Sequence, residues 1–488
     1  MNYSIIRNIL GKIMILTAIL MCLPIVFCIV YQEAFINYIA FIVPIILLIF
    51  FGWLFNLKKA KNTKMLAREG FIIVGFTWLI IALFGCFPFI ISGEIPNPFD
   101  AFFEMCSGFT TTGASILKDV TALSHSMKFW RSFSHWIGGM GVLVFILAII
   151  PESKDGTSIH ILRAESPGPQ VGKLVSKMQV TSRILYLIYL GLTILQILLL
   201  WLGPDKQMDF FNSLIYSLGT AGTGGLAIDP QSLEFYSSYS QYVIAIFMIV
   251  FGINFTLFYF ILIGNLKEVF KNEEVRWYFS ILAIAIIIIF LSLHLNNVYQ
   301  NVELTFRHSL FQVATIISTT GYSTANFNDW PSLAKGVIFI LMFFGASAGS
   351  TAGGMKISRI IILAKSSLKR IKNMVNPRKV ETIYIDKKPI NDTVVDSVQS
   401  YFIVYMFIFI LCALIISIDN FDMLTNLTAS LACISNVGPG FGEVGPYGSY
   451  AGFSNLSKFI LSLEMIAGRL ELFPMLILFN PKTWKRRT

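Results

Sequence analysis

Charged residues are scarce in this chain, making up 13% of 488 residues against 55% hydrophobic ones. A soluble domain carries about twice that charged share, so composition excludes one and leaves a polytopic membrane protein. The six cysteines (Cys22, Cys28, Cys86, Cys106, Cys412, Cys433) show no paired spacing. That excludes a disulfide framework or a zinc site and leaves small core residues. The five histidines are dispersed, with no Cys or second His at ligand spacing. Acidic residues number 27 against 37 basic, a net charge of +10.

What is present is oil in lengths suited to a bilayer. Uncharged apolar stretches run over 13–32, 34–57, 70–93, 132–150, 184–204, 235–266, 277–302, 336–355 and 397–418. A tenth, 454–480, is apolar with internal charges. The first stretch has no small-residue cleavage pattern and leads straight into the second, so it reads as a permanent anchor helix. Basic residues gather in the 58–68 loop (Lys58, Lys59, Lys61, Lys64, Arg68), between Lys356 and Lys388, and in the tail Lys485, Arg486, Arg487. With ten crossings these segments share one side, which predicts both termini in the cytoplasm. Topology thus accounts for the basic excess, with anionic lipid headgroups as the expected partner and no nucleic acid.

One stretch, SGFTTTGASIL at 107–117, sets hydroxyls and a glycine between two apolar helices, and it recurs. Aligned on one glycine, the copies read TTTGAS (Gly113), GTAGTG (Gly222), STTGYS (Gly321) and SNVGPG (Gly438). Each follows an amphipathic run too short to span and lies between long apolar helices. The predicted fold is all-α: ten transmembrane helices, with four repeats of helix, short helix, loop and helix after two N-terminal spans. The divisions are 1–68 for the N-terminal pair, then 69–177, 178–272, 273–394 and 395–488.

Irregular backbone at membrane depth survives only where it is buried in protein or lines a watery path. Four such loops around one axis form a ring of carbonyls able to replace the water shell of a cation. Glycine turns successive carbonyls the same way, and threonine hydroxyls add neutral oxygen ligands. A formally neutral oxygen cage suits a weakly hydrated monovalent ion, and a divalent one would call for carboxylates. That points to K⁺. The alternative for any one copy is a glycine that lets helices pack closely; four copies in equivalent positions favour the ring.

These four loops, in order, resemble those of the Trk/Ktr/HKT superfamily of potassium transporters, most closely its bacterial TrkH branch, which also has the two extra N-terminal spans. The resemblance covers essentially the whole chain. It implies K⁺ uptake across the bacterial inner membrane, a single-chain pore with pseudo-fourfold symmetry, a homodimer, and control by a cytosolic nucleotide-binding regulatory subunit of the TrkA type. It places K⁺ ligands at Thr110, Thr111, Thr112, Gly113, Thr220, Ala221, Gly222, Thr319, Thr320, Gly321, Asn436, Val437 and Gly438. Glycine rather than serine at position 113 speaks for potassium over sodium. Asn436, Val437 and Pro439 set the fourth loop apart, and unequal lobes predict fewer well-formed ion sites.

Ten small residues, Gly345, Ala346, Ser347, Ala348, Gly349, Ser350, Thr351, Ala352, Gly353 and Gly354, precede Lys356. Four glycines weaken a helix by about 1 kcal/mol each, so a break is expected. The residues alone leave two readings open: a broken helix, or a GxxxG packing face on Gly345, Gly349 and Gly353. The resemblance implies a gating loop beneath the filter. It also implies that Arg469, in the last span, points into the cavity below the filter, where its charge opposes cation passage; the alternative is an ion pair with Glu464 or Glu471. Asp100, Asp209 and Glu303, near the starts of short helices on the outer side, could pair with the helix N-termini or concentrate cations at the mouth, and capping is the commoner outcome.

Other motifs lack their context. Gly345–Gly349 fits the GxSxG elbow around Ser347, with no preceding strand and no evident His or Asp, so an intramembrane serine hydrolase is a remote alternative. GFGEVG at 440–445 follows no strand, and GGMKIS has Met355 between glycine and Lys356. The chain is therefore read as no enzyme and as holding no organic cofactor. A nearer alternative is a member of the superfamily that co-permeates Na⁺ or couples transport to another ion.

Overall fold

The computed structural model describes residues 1–58, 67–141, 178–378 and 381–484. Helices dominate, and among the described residues six are long and apolar enough to cross a membrane, or seven when the bent pair Ser238–Phe251 and Phe255–Leu262 counts as one. The count departs from ten for physical reasons. The helix Ser332–Leu341 ends before the run of glycines and resumes only at Ile357–Val375. The last span divides into Asn455–Arg469 and Phe473–Phe479, with Glu471 and Leu472 at positive φ between them. The expected span 132–150 begins within the helix His125–Gly139, and its part from 142 on lies outside the described residues, as do the basic residues at 59–66 and 485–487.

Tyr3–Leu20 and Phe35–Asn56 pack against each other where Gly11 meets Gly52. A Cβ on either glycine would lie 2.9 Å from the other's carbonyl oxygen, so the crossing depends on bare backbone. Exposed Leu187, Ile194, Ile403 and Phe407 face outward, whereas buried Ser and Thr cluster inside. This arrangement matches hydrocarbon outside and hydrogen-bonding groups within.

Four short helices, Pro98–Thr110, Phe210–Gly222, Val302–Ile317 and Met423–Ile434, recur along the chain. Each begins at an Asx cap that accepts from a backbone N–H: Asn97 from Phe99, Asp209 from Asn212, Asn301 from Glu303 and Asp422 from Thr425. Asp209 is thus a cap as expected. Asp100 instead pairs with Lys458 at 2.7 Å, and Glu303 with Arg307 at 3.5 Å.

Candidate functional site

All four short helices end the same way. The residue entering the left-handed region is Thr111, Thr223, Thr319 or Asn436, with φ of 56°, 55°, 56° and 54°. Its N–H donates to a carbonyl three residues back, and the next N–H to one five back, as in Thr112 to Ser107, Gly224 to Gly219, Thr320 to Thr315 and Val437 to Ala432. A β-branched residue rarely tolerates this conformation, and three threonines holding it mark a stretch whose side chains matter. Two positions on stands a glycine with positive φ: Gly113, Gly225, Gly321 and Gly438.

This geometry corrects the second loop. Thr220, Ala221 and Gly222 form the last turn of the helix Phe210–Gly222, and Thr220 Oγ1 donates to the Tyr216 carbonyl at 2.7 Å. The counterparts of Thr111, Thr112 and Gly113 are Thr223, Gly224 and Gly225. Gly222 misleads because it is glycine for another reason: a Cβ there would strike the His135 backbone. Thr220 and Thr223 both stand in the Thr-x-Gly spacing of Thr111 and Thr319, so the local pattern does not choose between Gly222 and Gly225.

The loops meet in cyclic order. A Cβ on Gly113 would strike the Gly224 carbonyl oxygen, one on Gly225 that of Thr320, one on Gly321 that of Val437, and one on Gly438 that of Thr112, each at 2.6 Å or less. Only bare backbone closes such a ring. An open cavity of about 630 Å³ is lined by all four glycines, with Lys118, Asp229 and Tyr447 on its wall. There Tyr236 donates to Asp229 at 2.8 Å.

Buried side chains brace the ring, and of these the sequence singled out Asn436 alone. Arg131 and Glu104 form a buried pair at 2.7 Å, and Arg131 also reaches the Ala227 carbonyl of the second loop. Glu104 accepts from Ser115 and the Ile116 N–H of the first. His135 accepts from the Leu226 N–H at Nε2, so Nδ1 carries the proton and donates to the Gly108 carbonyl at 2.6 Å. Asn436 Nδ2 donates to Thr112 Oγ1 and to the Met465 carbonyl, both at 2.9 Å. Tyr450 gives its hydroxyl to the Gly438 carbonyl and its N–H to that of Ser115, also at 2.9 Å each.

Gly345–Gly354 passes against the left-handed corners of the ring as irregular chain between two-residue strands, Phe344–Gly345 and Met355–Lys356. Thr223 Oγ1 donates to the Thr351 carbonyl at 3.0 Å, and the Gly353 N–H donates to Thr319 Oγ1 at 2.7 Å. A Cβ on Gly353 would lie 2.7 Å from that of Asn436. The opposite edge fills the 96° bend of the second unit. Ser347 N–H donates to the Gly252 carbonyl, and Phe255 N–H to that of Gly349, both at 3.0 Å. Each break thus supplies partners for the other's freed backbone groups.

Arg469 spans from the last unit to this segment and to the first unit. Its Nη1 donates to the Thr351 carbonyl at 2.8 Å and its Nη2 to those of Gly138 and Gly139 at 2.6 Å. Glu471 pairs instead with Arg359 at 2.5 Å, and Glu464 accepts from Ser430. Ser347 Oγ has no hydrogen-bond partner among the described residues, so no general base attends it.

Long apolar helices around a closed ring of backbone loops define a multi-pass helical membrane protein. Residues 37–486 match the TrkH family, described as cation transport protein. The chain is 32% identical to the Trk system potassium uptake protein TrkH of Escherichia coli K12, covering 99% of this chain and all of that one. It is 30% identical to TrkG of the same strain, over 99% of both. The crystal structure of the potassium transporter TrkH from Vibrio parahaemolyticus superposes with a TM-score of 0.88 at 29% identity, over 99% of this chain and all of that one. The chain belongs to the TrkH family, a family of transporters and not of enzymes.

Proposed function

We propose that this protein takes up K⁺ across the cytoplasmic membrane through a pore whose selectivity filter is the four-loop ring. The observation that carries the reading is the cyclic contact of Gly113, Gly225, Gly321 and Gly438 with the neighbouring loops' carbonyls. A closed ring of peptide oxygens holds a dehydrated monovalent cation without adding charge. Carbonyls and hydroxyls of Thr110 to Gly113, Thr223 to Gly225, Thr319 to Gly321 and Asn436 to Gly438 are the proposed ligands. Thr111 Oγ1 and Asn436 Oδ1 are buried with no hydrogen-bond partner among the described residues, and so are acceptors fit for such a site. The relatives' names, Trk system potassium uptake protein, support K⁺ as the cargo.

Gly345–Gly354 is the proposed gate and Arg469 its latch, since the segment lies across the ring's corners and the guanidinium holds it there. The Trk-system names of the relatives support work within a larger assembly; the proposed assembly is a homodimer with a cytosolic nucleotide-binding subunit of the TrkA type. The clustered basic residues support both termini inside. The proposed pore repeats are those read from the sequence, beginning at residues 69, 178, 273 and 395. Rubidium uptake into proteoliposomes under an inward-negative potential tests the reading, with sodium and lithium as competitors. Uptake that sodium inhibits as well as potassium does would refute a potassium filter.

A further inference from the structure

Glu274, at the start of the helix Glu273–Leu295, is 7% exposed, and the pore reading gives it no role. One of its carboxylate oxygens accepts two backbone N–H groups, from Ala348 at 2.8 Å and from Ser358 at 3.0 Å. Those donors sit ten residues apart, within the Gly345–Gly354 segment and in the first turn of the helix that resumes after it. Ser358 N–H is one of the donors a helix start leaves unpaired, and here another helix supplies the acceptor. Two charge-assisted bonds to one atom fix the distance between the ends of the excursion.

The neighbouring residue carries the connection away from the ring. Glu273 pairs with Lys365 at 2.5 Å, and Lys365 also donates to the Tyr384 carbonyl at 2.7 Å. The Glu273 N–H donates to Asp386 at 2.6 Å. Asp386 is the turn of a small hairpin that pairs Tyr384–Ile385 with Lys388–Pro389. Hydrogen bonds to Glu273 from the hairpin side and to Glu274 from the segment against the ring therefore meet at two successive residues of one helix start.

We infer that Glu274 is a positioning residue that holds the gating segment closed, and that the hairpin at 384–389 acts on it through Glu273. This rests on the gate reading above. With Glu274 intact both ends of the segment are pinned, and the ring-side contacts of Thr351 and Gly353 close easily. Without it two N–H groups lose their acceptor, and the closed position loses more than an open one in which water reaches them.

The test is rubidium uptake into proteoliposomes of the full chain without any partner protein. Glu274→Ala is expected to raise basal uptake about tenfold, and Glu274→Gln, which keeps one carbonyl acceptor, less than about threefold. Glu274→Asp, too short to reach both donors, serves should the alanine variant fail to fold, and is expected to fall between them. The rubidium-to-sodium preference stays unchanged in all three, an outcome that general loosening would not give. Arg469→Ala, run alongside, separates the failures. If it raises uptake while Glu274→Ala and Glu274→Asp match the unaltered chain, the positioning role is overturned and the gate stands; if none of them changes uptake, the gate reading itself falls.

Discussion

Arg469 donates to the carbonyl of Thr351 at 2.8 Å, across 118 residues of sequence. The contact joins the last helix of the fourth unit to the segment that crosses the ring, and the same guanidinium reaches the first unit through Gly138 and Gly139. Replacing Arg469 with glutamine removes both the latch and a positive charge beside the ion path. Initial rates of rubidium uptake should rise by about tenfold or more, since a charged hydrogen bond is worth about 1.5–3 kcal/mol. A fall in uptake with intact expression would count against the latch.

The second loop offers a direct test of register. Thr220→Val removes a hydroxyl that serves only the helix backbone and should leave potassium-over-sodium preference unchanged. Gly225→Ser places a side chain where φ is 72° and the Thr320 carbonyl already sits. That preference, read from competition with rubidium, should fall at least about tenfold, equivalent to about 1.4 kcal/mol.

Gly349 has φ of 73°, and a Cβ there would lie 3.0 Å from Asn254 Oδ1. Alanine in this left-handed position disfavours the conformation by about 1–2 kcal/mol. Gly349→Ala should therefore weaken the closed segment and raise basal uptake several-fold while ion preference is retained. Paired measurements of rate and competition read both.

Glu104 and Arg131 are both buried, with side chains 0% and 2% exposed. Glu104→Gln leaves the arginine charge without its partner and is expected to destabilise the protein by about 3–5 kcal/mol. Thermal unfolding in detergent should show a lowered midpoint, which added potassium does not restore. Glu104→Gln combined with Arg131→Met should recover part of the loss.

Tyr450 ties the fourth loop to the first through Gly438 and Ser115. Tyr450→Phe keeps the ring that packs on Phe103 and frees only the Gly438 carbonyl. The KM for rubidium should rise a few-fold with the unfolding midpoint nearly unmoved, because a neutral hydrogen bond contributes about 0.5–1.5 kcal/mol.

Much of this site was legible in the residues because its signals are local. The three Thr-x-Gly endings and the Asx caps act within a few residues of where they stand, so the short helices and their loops could be placed one by one. The second loop is misread from sequence because GTAGTGG offers four glycines, and local pattern cannot say which turns the chain and which makes room for a neighbour. Gly222 makes room for His135, a residue 87 positions away. Glu104, Arg131 and Glu274 went unnoticed for the same reason: as single charges they carry no motif, and they gain meaning only from distant backbone.

By itself the sequence determined the class of protein, the fourfold recurrence and the chemistry of the loop corners. Hydrophobic length, helix capping and the conformational range of glycine act over a turn or two of chain. Only the tertiary structure decided that the loops close in cyclic order, that Gly225 completes the ring, and that Arg469 and Glu274 grip the segment against it. Those relations join groups roughly a hundred residues apart, and they arise because backbone freed at a break inside a membrane must find its partners wherever the packed helices bring them.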